Sequence, residues 1–122
     1  MPDITYSMSL KVDRDNFLNQ VQVSQVTATQ SKAGYSSLVY DLTTNATAIS
    51  TANLSSVGMA FLRNLSTSSA ATVQIGIEAG GSFVGFTTLR GSEPALVRLS
   101  SGTEYQAKGV AGARLRVDIA EG

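Results

Sequence analysis

Apolar and polar residues alternate along the first dozen positions of this chain. Ile4, Tyr6, Met8, Leu10 and Val12 alternate with Thr5, Ser7, Ser9 and Lys11. A period of two puts one set of side chains on one face of a strand. The pattern predicts a strand that buries its even-numbered side. Asp13-Arg14-Asp15-Asn16 reads as a turn, because Asp and Asn bond their own backbone and tolerate unusual angles. Phe17, Val21 and Val23 continue on one face, whereas Val26 and Ala28 fall on the opposite parity. A bulge or bend near Ser24-Gln25 restores their register.

The rest of the chain repeats this grammar. Ser31-Lys32-Ala33-Gly34 is a turn, and Leu38, Tyr40 and Leu42 mark the next strand. Residues 43–56 are rich in Thr, Ser, Ala and Asn and hold one weak strand flanked by loops. From Val57 to Leu65 apolar residues occupy both parities, as in a central strand. Val73, Ile75 and Ile77 alternate, and the Glu78-Ala79-Gly80-Gly81-Ser82 loop turns the chain into a partner strand over 83–89. Tandem Gly supplies the positive φ angles that such a loop needs. Pro94, which cannot donate to a ladder, belongs at the first residue of a strand or on an edge. Leu96 to Leu99, then Tyr105 and Ala107, mark two further strands. Gly109-Val110-Ala111-Gly112 reads as a last hairpin turn before Leu115, Val117 and Ile119. Arg114 and Arg116 alternate with Leu115 and Val117, as the outer face of a strand does.

About nine or ten strands with frequent turn signals predict an all-β chain. The expected architecture is one antiparallel β-sandwich or jelly-roll-like domain over residues 1–122, with residues 1–5 as an N-terminal arm.

Composition then narrows the function. Charged residues are 15% of the chain and hydrophobic residues 43%, where about a quarter charged is usual. Nine Lys and Arg balance nine Asp and Glu, so there is no basic footprint for nucleic acid. No Cys and no His are present, which removes thiolate metal sites, disulfides and the commonest general base. Trp is also absent. Asp13 and Asp15 lack the remaining ligands and the Gly of a calcium loop. Gly76-Ile77-Glu78-Ala79-Gly80-Gly81 is followed by neither a helix nor a Lys and is not a phosphate loop. No catalytic residue, cofactor or metal is expected. The N-terminus lacks the basic and apolar segments of a signal peptide, and no apolar run approaches the ~20 residues of a spanning helix. Production in a cytoplasm, without membrane partners, is the expectation. The N-x-S/T triplets at Asn45, Asn53 and Asn64 are therefore chance, and Asn64 is a strand-end residue.

Arg63 lies between Phe61 and Leu65 in a strand that reads as central. It either pairs with a carboxylate or reaches the sheet rim, or it anchors a ligand or subunit contact.

Two passages carry a family likeness. One is Ala60-Phe61-Leu62-Arg63-Asn64-Leu65 with Val73-Gln74-Ile75-Gly76. The other runs from Leu89-Arg90-Gly91-Ser92-Glu93-Pro94 through Leu96-Val97-Arg98-Leu99 to Tyr105-Gln106-Ala107-Lys108-Gly109. Over about half its length the chain resembles small all-β virion proteins of tailed bacteriophages that decorate or cement the capsid. It departs from their Gly-Glu step in placing Ser92 between Gly91 and Glu93. The resemblance implies a structural subunit that binds the major capsid protein of a preformed shell in many copies, often as trimers. It would be assembled in the host cytoplasm and carried on the capsid surface. A tail or neck component is the neighbouring alternative. A small glycan- or receptor-binding module is a third, with Tyr35, Tyr40 and Tyr105 as its platform. For the structural readings the candidate contact residues are Ile4, Tyr6, Met8 and Leu10, with Arg63 and Arg90 as further candidates.

Overall fold

The computed structural model describes residues 4–30, 34–52, 54, 56–68 and 70–121. Among them are ten strands and no helix. These are β1 (Ile4–Arg14), β2 (Phe17–Ala28), β3 (Tyr35–Asp41), β4 (Thr47–Ala48), β5 (Met59–Asn64), β6 (Val73–Ala79), β7 (Ser82–Leu89), β8 (Pro94–Arg98), β9 (Tyr105–Gly109) and β10 (Arg114–Ala120). All pairings are antiparallel. β1 and β2 form a two-stranded sheet; the others form two four-stranded sheets, ordered β3-β10-β5-β8 and β4-β9-β6-β7. The predicted all-β class and strand number hold.

The chain divides into two compact units, residues 1–31 and 32–122. Sequence patterning drew no boundary there, because both units are written in the same alternating code. Of the expected arm, residues 1–3 lie outside the described residues, and Ile4 and Thr5 open β1.

The first unit is a hairpin of two strands, 11 and 12 residues long, about twice the usual strand length. Asp15, at φ 53, turns the chain between them. The register shifts between Tyr6 and Met8, where Ser7 faces both Ser24 and Gln25. Gln25 sits at φ 53, and its N–H donates to Ser7 Oγ at 3.1 Å. This is the bulge expected at Ser24-Gln25. It keeps Val26 and Ala28 on the same face as Val21 and Val23.

The expected burial of the even side of β1 is not found. Met8, Leu10 and Val12 are 45%, 64% and 42% exposed, and only Ile4 and Tyr6 are half-buried. Two strands make a ribbon with two faces and no second layer, so alternation alone has nothing to bury against.

The second unit is a sandwich of the two four-stranded sheets. Leu115, Val117 and Ile119 of β10 and Ala60 and Leu62 of β5 face Val73 and Ile75 of β6 and Ala107 of β9 in one core. Each fully buried aliphatic side chain contributes about 1.5–3 kcal/mol by leaving water. β5 is an inner strand, as its apolar residues on both parities predict. Gly80 and Gly81, at φ 60 and 81, form the two-residue β6–β7 loop, and Glu78 Oε1 accepts from Gly81 N–H at 2.7 Å. Pro94 is both the first residue of β8 and on an edge strand. The segment around Ser31–Ala33, read as a turn, lies outside the described residues.

One turn differs from expectation. Gly109-Val110-Ala111-Gly112 does not close a hairpin, because β9 and β10 belong to opposite sheets. The segment crosses the sandwich instead. Ala113 N–H donates to Val110 O at 3.0 Å, and Leu42 N–H reaches Ala113 O at 2.8 Å.

Candidate interaction surface

The hairpin places four of the predicted contact residues together. Directly opposed residues of an antiparallel pair point to the same face. Ile4 opposes Ala28, Tyr6 opposes Val26, Met8 opposes Val23 and Leu10 opposes Val21. The result is one continuous apolar face drawn from both strands. Val21 and Val23 are 59% and 41% exposed. The face carries no charge from Ile4 to Val12. The opposite face is polar except for the exposed Leu18 near the turn, with Thr5, Ser9, Lys11 and Asp13 opposing Thr27, Gln22, Gln20 and Leu18. Val21 and Val23 were absent from the predicted contact set. Their shared parity was visible in the sequence, but the register that sets them beside Leu10 and Met8 was not.

Arg63 and Arg90 are not part of this face. Arg63 points out from β5, on the side opposite Leu62 and Asn64, and its Nε donates to Ser92 O at 3.3 Å. It thus reaches a backbone carbonyl of the turn before β8. Arg90 lies in the same turn, where its N–H donates to Glu93 Oε1 at 2.6 Å. The Leu89–Pro94 stretch is therefore a locally bonded turn that docks on the end of β5.

The dock is organised by Asn64, which is fully buried at the inward parity of Ala60 and Leu62. Its Nδ2 donates to Ala71 O at 2.6 Å and to Leu89 O at 3.1 Å, and its Oδ1 accepts from Ser66 N–H at 3.0 Å. Its main chain also exchanges hydrogen bonds with Ser92 and Glu93. A Cβ at Gly91 would collide with Ser68 O and come within 2.9 Å of Ser66 O, so only Gly permits this close approach. Ser92 takes φ 69 beside it. Asn64 is the strand-end residue expected, but its bonding role was not read. The signal was an Asn at a core parity of an apolar strand.

The outer face of the β3-β10-β5-β8 sheet is mixed. Arg116 is in register with Arg63, and both are exposed. Arg116 Nε donates to Asp118 Oδ2 at 2.9 Å, and Asp118 is only 7% exposed, with no hydrogen-bond partner for its Oδ1 among the described residues. Arg114 pairs at 3.4 Å with an exposed Asp41. Arg114 and Arg116 thus occupy the outer face that their alternation predicts. Tyr35 stands at the edge of this face. Partial desolvation raises its phenol above the ordinary value of 10.0. The Asp118 carboxylate adds to that rise, and Arg116 opposes it.

The three tyrosines proposed as a platform do different things. Tyr40 and Tyr105 pack against the core, and their hydroxyls accept backbone N–H groups of Ser50 at 2.9 Å and Ser100 at 2.8 Å. Only Tyr35 is broadly exposed. Among the described residues no group of three or more carboxylate, His or Cys side chains is placed to hold a metal ion.

The hairpin thus presents a neutral apolar ribbon face, suited to packing against protein. No protein-family model matches the chain, and no curated protein matches it.

Proposed function

We propose that this chain is a non-enzymatic structural subunit of a bacteriophage virion, of the capsid cement or decoration kind. The observation that carries the reading is the exposed apolar face of the β1–β2 hairpin. A two-stranded ribbon is marginal in water by itself. An apolar face of this extent marks a surface meant for other protein. The sandwich supports the reading in a second way. Its strands are nested, β3-β10-β5-β8 over β4-β9-β6-β7, which fits a jelly roll, a double-sheet architecture found in viral capsid and lectin domains. A fold does not assign a function, so the weight rests on the hairpin and on the likeness of the Arg63 and Arg90 segments to phage decoration proteins.

In this reading the subunit sits on the capsid surface in many copies, as a homo-oligomer with the major capsid protein as partner. Many linked weak contacts give avidity that one small surface cannot. Engagement of the Tyr40 and Tyr105 hydroxyls leaves a glycan platform with less to recommend it. The test is quantitative mass spectrometry of purified particles of the encoding phage, with imaging of particles in which this chain is labelled. The expected result is many copies per particle, located on the shell. Absence from the particle, or label confined to tail or neck, overturns the capsid assignment.

A further inference from the structure

We propose that the apolar hairpin face is covered by the same face of another copy of this chain, so that self-association through β1 and β2 precedes any docking to a shell. This deepens the reading above by naming the occupant of its contact surface.

Three observations point to a second copy. The first is charge. Met8, Leu10, Val12, Val21 and Val23 form a face without a charged side chain, so two copies meet without like-charge repulsion. A partner bearing charge on its own contact surface would have to desolvate it against nothing.

The second is architecture. The hairpin has one apolar face and one that is polar apart from Leu18, and both of its strands are edges. Three or more strands over an apolar face are needed for independent stability. Two ribbons stacked at the ~10 Å spacing of packed sheets supply four strands and one dry layer. A self-complementary patch is also what closed symmetric oligomers use.

The third is area. The broadly exposed stretch from Met8 to Val12 spans roughly 14 Å at about 3.4 Å per residue. The side chains there, exposed by 41–64% and continued by half-buried Ile4, Tyr6, Val26 and Ala28, leave on the order of 500 Å² per ribbon, within the roughly 300–600 Å² of the largest patch on a monomer, a patch that is often functional. Burying two such faces removes roughly 1,000 Å², the threshold of a specific interface. A three-fold arrangement of hairpins, each using both flanks of its face, removes more per copy.

The test uses sedimentation velocity on the full chain at tens of micromolar. The wild-type chain is expected to sediment as an oligomer. The double variant Leu10→Asp/Val21→Asp is expected at monomer mass, with at least about a hundredfold weaker association, because like charges then face one another in an apolar contact. Mixing it with Leu10→Lys/Val21→Lys is expected to restore the oligomer. Lys11→Asp, on the polar face, is expected to leave the mass unchanged. An unchanged melting transition of the sandwich in each variant shows that folding is intact. A monomeric wild-type chain, an Asp double variant of unchanged mass, or loss of the oligomer in Lys11→Asp overturns the proposal. A chain that stays monomeric yet co-sediments with shells overturns self-contact and leaves the virion reading standing. An oligomer that binds no shell does the reverse.

Discussion

β1 and β10 are written in the same code and meet different fates. Both alternate apolar with polar residues. In β10, Leu115, Val117 and Ile119 are at most 3% exposed; in β1, Met8, Leu10 and Val12 are at least 42% exposed. The difference lies in what each strand has beside it. β10 is flanked by β3 and β5 in a four-stranded sheet, and a second sheet faces its apolar side. β1 has β2 alone within its sheet. Alternation specifies that a strand has an apolar face. It does not specify whether that face is filled by the same chain or by another one.

The largest break in this comparison comes from truncating one apolar residue on each side. Leu115→Ala opens a cavity in a fully enclosed layer and is expected to cost the sandwich about 2–5 kcal/mol. Leu10→Ala is expected to change the melting of the sandwich by less than about 0.5 kcal/mol. Its effect should appear in association instead. Urea denaturation of both variants, followed by sandwich signals, makes the measurement. Equal losses would mean that β1 belongs to the folded core.

The next effect concerns the buried polar dock at the end of β5. Asn64→Ala leaves Ala71 O, Leu89 O and Ser66 N–H without their side-chain partner, at an expected cost of about 2–3 kcal/mol in the same denaturation experiment. Gly91→Ala forces the turn off Ser66 and Ser68 and is expected to cost about 1–3 kcal/mol. An unperturbed transition in either variant would show that the Leu89–Pro94 turn is not held as described.

These residues also show what was legible in the sequence. Turn chemistry was legible at Gly80-Gly81 and Pro94, because φ above zero and a missing N–H are local properties. The bulge at Ser24-Gln25 was legible because the apolar parity breaks there. The outward side of Arg114 and Arg116 followed from their alternation. Other features depend on distant partners. The Gly109–Gly112 turn has hairpin composition, yet it crosses between sheets, since sheet membership is a non-local property. Asn64, an Asn at a core parity, signalled a buried polar role, but its partners Ala71 and Leu89 are set by distant packing. For the contact surface, β1 was visible as a candidate, and Val21 and Val23 joined it only through register.

The smallest expected effect is a titration at the sheet edge. Tyr35 has a raised folded-state pKa, so its neutral form is favoured in the fold. Its contribution to stability is fully present below about pH 10, the unfolded value, and is lost as pH rises through the folded value. Tyrosine-resolved NMR titration should place its midpoint above 10.0. Asp118→Asn should lower that midpoint in part, because desolvation, the larger cause, remains. A midpoint at or below 10.0 in the wild-type chain would contradict the description of this edge.

The central claim is that the apolar face of the hairpin is completed between chains, while the sandwich completes itself within one. Amide hydrogen exchange of the full chain across a hundredfold range of protein concentration tests it most directly. Protection of β1 and β2 is expected to rise with concentration while that of β5, β6 and β10 stays constant. Hairpin amides protected to the same degree at every concentration would contradict it.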